Sequence, residues 1–365
     1  MPTTPCRHLG LFDPTFFRIN KTLRRIRMND LAKKFHYAYS FFRKRLIHLN
    51  LQILYQCNFK CQICDFWKPP YKDMLKLSLA QTEEISQKLR ALGPLIVSIG
   101  GGEPLLHPDL VPIIQSLAQY HFPVMICNGW YVTPENARAL FRAGLYEISI
   151  SLDYASPEKH DRQRGVTGAF EHAMSALENL HKNRVYAHQR VHMISVVMDD
   201  NLEEIEPLIR LAKEIGVTYL LTLYSHSRGR KKPRASEKDI SELLFGLKRK
   251  YKNFVALHGY LARFTEAVQN ENGILPCYAG KNLLNIDCNG NVSRCIDRLD
   301  QPAGNILNDE LDRIVETLQE QHMQNDCGGC WTSCRGNIES LMYGKNRLAN
   351  LWDSYRVTKR VPLNG

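Results

Sequence analysis

Nowhere among the 365 residues is there a run of about 18 apolar positions, the length a membrane-crossing helix requires. The opening stretch, MPTTPCRHLGLFDPTFF, has no apolar core of the kind that marks a secretory signal. Neither export nor membrane spanning is supported, and the expected compartment is the cytosol. Thiols stay reduced there, so the eleven cysteines read as metal ligands or small buried hydrophobes before disulfides. Cysteine is missing between Cys127 and Cys277 and again after Cys334, which leaves two groups bracketing a bare middle. Acid is scarce at the start. The first fifty residues carry eleven Lys or Arg against Asp13 and Asp30, so nine of the eleven net positive charges sit there. With 44% hydrophobic residues the chain is no disordered tail, and its length suits one large domain plus a smaller one.

What is present begins with CNFKCQIC, residues 57–64. Its three thiolates are one short of a closed zinc or iron–sulfur site, since both want four. The middle of the chain alternates short β-branched apolar runs, at 51–56, 95–100, 123–128, 147–152, 191–198 and 218–223, with amphipathic stretches. In the last of these stretches Leu202, Ile205, Leu208, Ile209 and Leu211 nearly share a face, and Gly216 stops the helix. Six βα units in series predict a parallel sheet with right-handed crossovers, curled toward a barrel, with its chemistry at the C-terminal strand ends. The motifs collect there. CNFKCQIC follows the first strand, SIGGGEPLLHPD the second, CNGW ends the third and SLDYASPEKHDRQRG follows the fourth. Gly100, Gly101 and Gly102 let the backbone approach a ligand closely, Glu103 offers a carboxylate to a cation and Pro104 stiffens the turn. His107, before Pro108, reads as a turn residue.

These motifs resemble those of the radical S-adenosylmethionine (radical SAM) superfamily. CNFKCQIC matches the Cys-x3-Cys-x2-Cys signature, and GGEP, Gly101 to Pro104, matches the strand-two motif in the expected order and separation. The resemblance covers about residues 50 to 230 and implies an α/β fold, a partial (β/α)6 TIM-like barrel. It implies that Cys57, Cys61 and Cys64 hold a [4Fe–4S] cluster whose open iron takes the amino and carboxylate groups of SAM. The missing ligand is then the cofactor's place. An electron from a low-potential donor of flavodoxin or ferredoxin type would cleave SAM to a 5′-deoxyadenosyl radical for C–H activation. Carried over by position, Gly101, Gly102 and Glu103 hold the methionyl amine, Ser151 and Asp153 lie at the ribose, and Asn128 reaches SAM. Arg164 faces the SAM carboxylate or is a solvated arginine at a helix start. Two positions depart from the family pattern: Ile63 stands where an aromatic residue is common, and Cys127 where a hydroxyl is commoner before Asn-Gly. Cys127 reads as a small buried residue.

The second cysteine group spaces Cys277, Gly290 and Cys295 as Cys-x12-Gly-x4-Cys and adds CGGCWTSC. It resembles the auxiliary-cluster extension called SPASM or, shortened, twitch, and the shortened form fits the cysteines better. That implies a small C-terminal cysteine-rich α+β cluster domain. There Cys277, Cys295, Cys327, Cys330 and Cys334 supply the ligands of one auxiliary [4Fe–4S] cluster, with Cys288 at most a sixth thiolate. A zinc ribbon is the alternative. The expected organisation is a basic helical arm (1–48), the barrel (49–250), a linker (251–272), the cluster domain (273–345) and a tail (346–365).

In the arm, Phe16, Ile19, Leu23 and Ile26, then Leu31, Phe35, Tyr39, Phe42, Leu46 and Leu49, recur at three- and four-residue steps. They predict two basic amphipathic helices, which either associate peripherally with an anionic membrane inner face or cap the open barrel. The run SHSRGRKKPR (225–234) hangs over the cofactor face and suggests an acidic or phosphorylated substrate, a solvated loop being the alternative. By analogy with SPASM relatives the leading substrate is a peptide or protein. The basic helices, and the lack of a leader-binding domain before the barrel, make a lipid or other anionic small molecule the second choice. A zinc or iron–sulfur nucleic-acid-binding protein would explain the cysteines and the basic charge. It would not explain Glu103 beside a glycine run at a strand end.

Overall fold

The computed structural model describes residues 29–198, 200–225, 239–270, 273–325 and 327–358. Six strands pair parallel in chain order: β1 (His48–Leu54), β2 (Ile96–Gly101), β3 (Phe122–Cys127), β4 (Glu147–Ser151), β5 (Arg190–Val197) and β6 (Thr218–Leu223). Each falls on one of the predicted apolar runs. β6 is an edge of the sheet, so the barrel is partial. Beyond β1 the sheet continues. β7 (Leu283–Ile286) pairs parallel with β1, and β8 (Asn291–Ser293) and β9 (Pro302–Asn305) follow antiparallel, giving nine strands. The cysteine-rich segment thus joins the sheet beside the strand that leads to Cys57.

Period-two alternation sets the two faces. In β1, Leu49, Leu51 and Ile53 are fully buried in the core, while His48, Asn50 and Gln52 line the barrel interior. Helix Leu79–Leu89 opens with a Ser78/Gln81 capping box, and helix Ile205–Ile215 stops at Gly216 with φ 87°, as its sequence predicts. Helix Pro157–Arg164 follows β4, and Arg164 stands at its end rather than at a helix start. PEKHDRQR has no apolar stripe to reveal it, but Ser156 caps it and Pro157 starts it.

In the arm, helix Asp30–Phe42 is capped by Asn29, whose side chain accepts from Ala32 N–H at 2.8 Å. Lys33 reaches Ala118 O at 2.9 Å, and the Tyr37 ring meets Phe122 edge-on at 5.7 Å. The helix therefore packs beside the starting residue of β3. Leu31, Phe35, Tyr39 and Phe42 point outward, between 47% and 74% exposed, so the face that packs is not the one the apolar pattern marks. Leu46 and Leu49 do not extend this helix: it ends at Phe42, Lys44 turns at φ 52°, and Leu49 belongs to β1. The arm residues Phe16 to Ile26 and the basic run beyond Ser225 lie outside the described residues. No described helix is long and apolar enough to cross a membrane.

Candidate active site

The first cysteine loop is clasped from two sides. Gly102 N–H donates to Leu54 O at 2.8 Å and Glu103 N–H to Gln56 O at 2.9 Å, tying the end of β2 to the chain leaving β1. A Cβ on Gly101, at φ 121°, would lie 1.8 Å from Leu54 O, and one on Gly102 would lie 2.0 Å from Gln56 O. Only glycine fits. At these two positions the close approach is to the chain's own backbone. On the other side Lys60 and Gln62 N–H donate to the carbonyls of Arg164 (3.3 Å) and Gln163 (2.9 Å) at the end of helix Pro157–Arg164. Phe59, 1% exposed, anchors the loop edge-on against Trp130 at 5.7 Å.

Glu103 is 1% exposed. Its Oε1 accepts from Leu105 N–H (3.1 Å) and its Oε2 from Asn128 N–H (2.8 Å). Burial pushes its pKa up to about 7, and the two backbone donors only partly offset this. The carboxyl is thus poised to gain from an arriving cation. The side chain of Asn128 is used within the protein: its Nδ2 donates to Asn58 Oδ1 (2.8 Å) and its Oδ1 accepts from Trp130 N–H (2.9 Å). Asn58, inside the cysteine motif, escaped the sequence reading although its position was in view.

Asp153 and Arg164 meet. Arg164 Nη2 stands 2.6 Å from Asp153 Oδ2, with side-chain exposures of 9% and 0%. Asp153 Oδ1 also accepts from Val196 N–H at 2.9 Å, and Arg164 Nη1 lies 4.0 Å from Cys61 Sγ. Arg164 is therefore not a solvated arginine. Ser151, at the end of β4, lines the cavity, whereas Asp153 is sealed behind it. His107 is a turn residue as expected, its ring between Leu77 O (2.7 Å) and Asp109 N–H (3.1 Å), and Cys127 is buried.

Burial pushes the Cys57 thiol up to about 12 and raises Cys61 as well, the Arg164 guanidinium pulling the latter back. With Cys64 they border a cavity of about 580 Å³ that runs into the barrel past Ile63, Gln52 and Asn50 to Glu147. Among the described residues no three Cys, His, Asp or Glu side chains stand close enough to share one metal ion. The fit of an iron–sulfur cluster rests on the soft donor set and on the open cavity beside it. The polar inner face of β1, spelled by alternate residues of HLNLQIL, was legible but was not read as a site.

Near the C-terminus, Cys277, Cys295 and Cys330 are all raised first by burial, and each also responds to charge on neighbouring cysteines, which include Cys327 and Cys334. Cys288 stands apart: it lies in the main core and responds to Asp287 rather than to another thiol. Arg335, 2% exposed, ties the group together. It donates to Cys330 O (2.7 Å), Pro276 O (3.2 Å), Ile274 O and Glu339 Oε1 (2.9 Å). Glu339 Oε1 in turn accepts from Tyr278 N–H at 2.9 Å. Helix Ser333–Tyr343, which carries this pair, brings Cys334, Asn337 and Ile338 to the cavity wall, and Ser333 N–H donates to Thr222 of β6 at 3.0 Å.

Comparison with known proteins agrees with this geometry. Residues 51–212 match the model of the radical SAM superfamily. Mycofactocin maturase MftC of Mycobacterium ulcerans is 29% identical over 324 residues, covering 81% of this chain and 84% of the relative. An AdoMet-dependent heme synthase of Methanosarcina barkeri is 30% identical over 191 residues, 52% of this chain and 54% of its own. Streptococcus suis SuiB, solved with its precursor peptide SuiA, shares the fold at a TM-score of 0.59 with 18% identity, over 78% of this chain and 68% of SuiB. The matched domain, the open parallel barrel and the cysteine loop at the end of its first strand place a radical SAM domain at residues 51–212, and with it the chemistry of a SAM-dependent iron–sulfur enzyme.

Proposed function

We propose that the enzyme removes a hydrogen atom from a peptide or protein segment held in its barrel. The observation that carries this is the cavity, about 580 Å³ and lined from Cys57, Cys61 and Cys64 to Asn50 and to Glu147, the first residue of β4. That volume is in the range of pockets that enclose a whole ligand or a large side chain. The similarity to mycofactocin maturase over most of both chains, and the peptide held by SuiB, favour a peptide.

In this proposal Cys57, Cys61 and Cys64 hold the [4Fe–4S] cluster that binds SAM. Together these cofactors supply a 5′-deoxyadenosyl radical for C–H abstraction. Glu103 accepts the SAM ammonium, with Gly101 and Gly102 fixing its height at the strand end. Ser151 presents its hydroxyl to the ribose. Arg164, oriented by Asp153, offers its remaining donors toward the SAM carboxylate, its Nε having no partner among the described residues. Asn128 acts indirectly, by fixing Asn58 in the cysteine loop. Ile63 and Trp67 line the cavity there and exclude water.

Cys277, Cys295, Cys327, Cys330 and Cys334 supply the ligands of one auxiliary [4Fe–4S] cluster, four of the five sufficing, without Cys288. A flavodoxin- or ferredoxin-type donor delivers the electron. The outward stripe of helix Asp30–Phe42 rests on an anionic membrane surface. The match to a heme synthase over about half of each chain favours a second substrate class, an anionic small molecule.

The test is label transfer. Reduced, reconstituted enzyme is given SAM with a carbon-deuterated peptide library or, separately, a carbon-deuterated porphyrin. Deuterium in 5′-deoxyadenosine from peptides supports the proposal; deuterium from the porphyrin alone establishes the second class.

A further inference from the structure

Two amide groups on the barrel wall have an end left over. Gln52 and Asn50 are 3% and 8% exposed, and both border the cavity below the cysteines. Gln52 Nε2 donates to Asn285 Oδ1 (3.2 Å), Asn285 Nδ2 to Ser293 Oγ (3.4 Å), and Ser293 Oγ to Cys295 O (3.1 Å). A backbone carbonyl only accepts, so this relay has one direction. The end of Gln52 that remains is its carbonyl, and Gln52 Oε1 has no partner among the described residues. Asn50 Oδ1 meets His48 Nε2 at 3.2 Å, and Asn50 Nδ2 likewise has no partner among the described residues. Gly100 pairs with Gln52 across the sheet, and a Cβ there would lie 3.5 Å from Gln52 Oε1. Glycine leaves that oxygen uncovered.

We infer that Gln52 Oε1 and Asn50 Nδ2 anchor the substrate inside the barrel, and that the group they take is an amide. Gln52 accepts its N–H and Asn50 donates to its C=O. Buried donors and acceptors in native proteins are nearly always met, which leaves this pair for a ligand. Their residues stand two apart on one strand, a rise of about 7 Å along the backbone, which is also the two-residue repeat of an extended peptide. Glu147, the carboxylate that also borders the cavity, has His192 at 3.4 Å. The inference rests on the proposed peptide substrate and names the chemistry that holds it.

Saturation-transfer NMR on anaerobic, cluster-loaded enzyme with SAM tests it. The probes are N-acetylglycine N-methylamide, methyl acetoxyacetate (similar in shape, without N–H) and propionamide. A site built around a hydrogen bond rejects the analogue that lacks the donor. The capped glycine is expected to bind at least about tenfold tighter than the ester. Gln52→Leu should erase that preference, Gln52→Glu, which keeps an acceptor, should retain it, and Asn50→Leu should weaken both probes. Iron content and melting temperature check that each variant is folded. Equal binding of amide and ester to the native enzyme, a preference that survives Gln52→Leu, or no binding of any probe overturns the inference. Binding of propionamide without the capped glycine keeps the amide site but removes the peptide substrate.

Discussion

Glu103 is a carboxyl group held by two backbone N–H donors in a place where burial works against its charge, which is why its pKa sits near 7. If it receives the SAM ammonium, it must be ionised when SAM is bound. A group whose free-state pKa is raised must then release a proton on binding. SAM affinity should fall about tenfold per pH unit below about 7 and level off above it. Glu103→Gln should flatten that profile and weaken binding by about 1.5–3 kcal/mol, as equilibrium dialysis of the cluster-loaded enzyme would read. The Asp153–Arg164 pair makes a second residue-scale prediction. Arg164→Leu strands a buried carboxylate and should cost about 3–5 kcal/mol of stability, while adding Asp153→Leu should restore much of it. Melting of the metal-free single and double variants decides this, and equal loss in both would refute it. Glu103 was legible because its motif neighbours sit beside it in the chain. The burial of Arg164 was not, because RQRG carries no sign that its partner is at the end of β4, on the far side of a loop.

Among the elements, two helices do work that their amphipathic patterns conceal. Helix Ser333–Tyr343 presents Arg335 to carbonyls at Ile274, Pro276 and Cys330, so one guanidinium gathers the segments that carry the C-terminal cysteines. Arg335→Leu leaves Glu339 as an unpaired buried charge and should cost about 3–5 kcal/mol. It should also release about four irons while the other four stay, by iron analysis and EPR. Loss of all iron, or of none, would contradict this clamp. Helix Asp30–Phe42 packs through Lys33 and Tyr37 and turns Leu31, Phe35, Tyr39 and Phe42 outward. Capping the barrel and lying on a membrane are therefore compatible rather than exclusive. Phe35→Glu with Phe42→Glu should change stability by no more than about 0.5 kcal/mol per site yet abolish binding to anionic vesicles. Tyr37→Ala should lower the melting temperature and leave vesicle binding intact. Retained vesicle sedimentation in the double variant would dismiss the membrane role. The sequence showed that this helix exists but not which way it faces, since periodicity marks an apolar stripe without saying whether the stripe meets the core or the outside.

At the scale of the whole molecule, the six parallel strands were legible because each is a short apolar run between helical stretches. The continuation of the sheet through β7, β8 and β9 was not, because pairing of β1 with a strand more than two hundred residues later has no local signature. That continuation has a consequence: the relay from Cys295 through Ser293 and Asn285 to Gln52 connects the C-terminal cysteine segment to the barrel wall. The native enzyme should carry about eight irons, and the Cys57/Cys61/Cys64→Ala variant about four. The central claim is that the first cysteine loop and its cavity cleave SAM. The most direct measurement is the yield of 5′-deoxyadenosine and methionine from reduced, reconstituted enzyme and SAM, compared with the Cys57/Cys61/Cys64→Ala variant. Equal amounts of the two products from the native enzyme, slow without substrate, and none from the variant are the expected result. Persistent cleavage by the variant, or none by native enzyme carrying its full iron, would contradict the account.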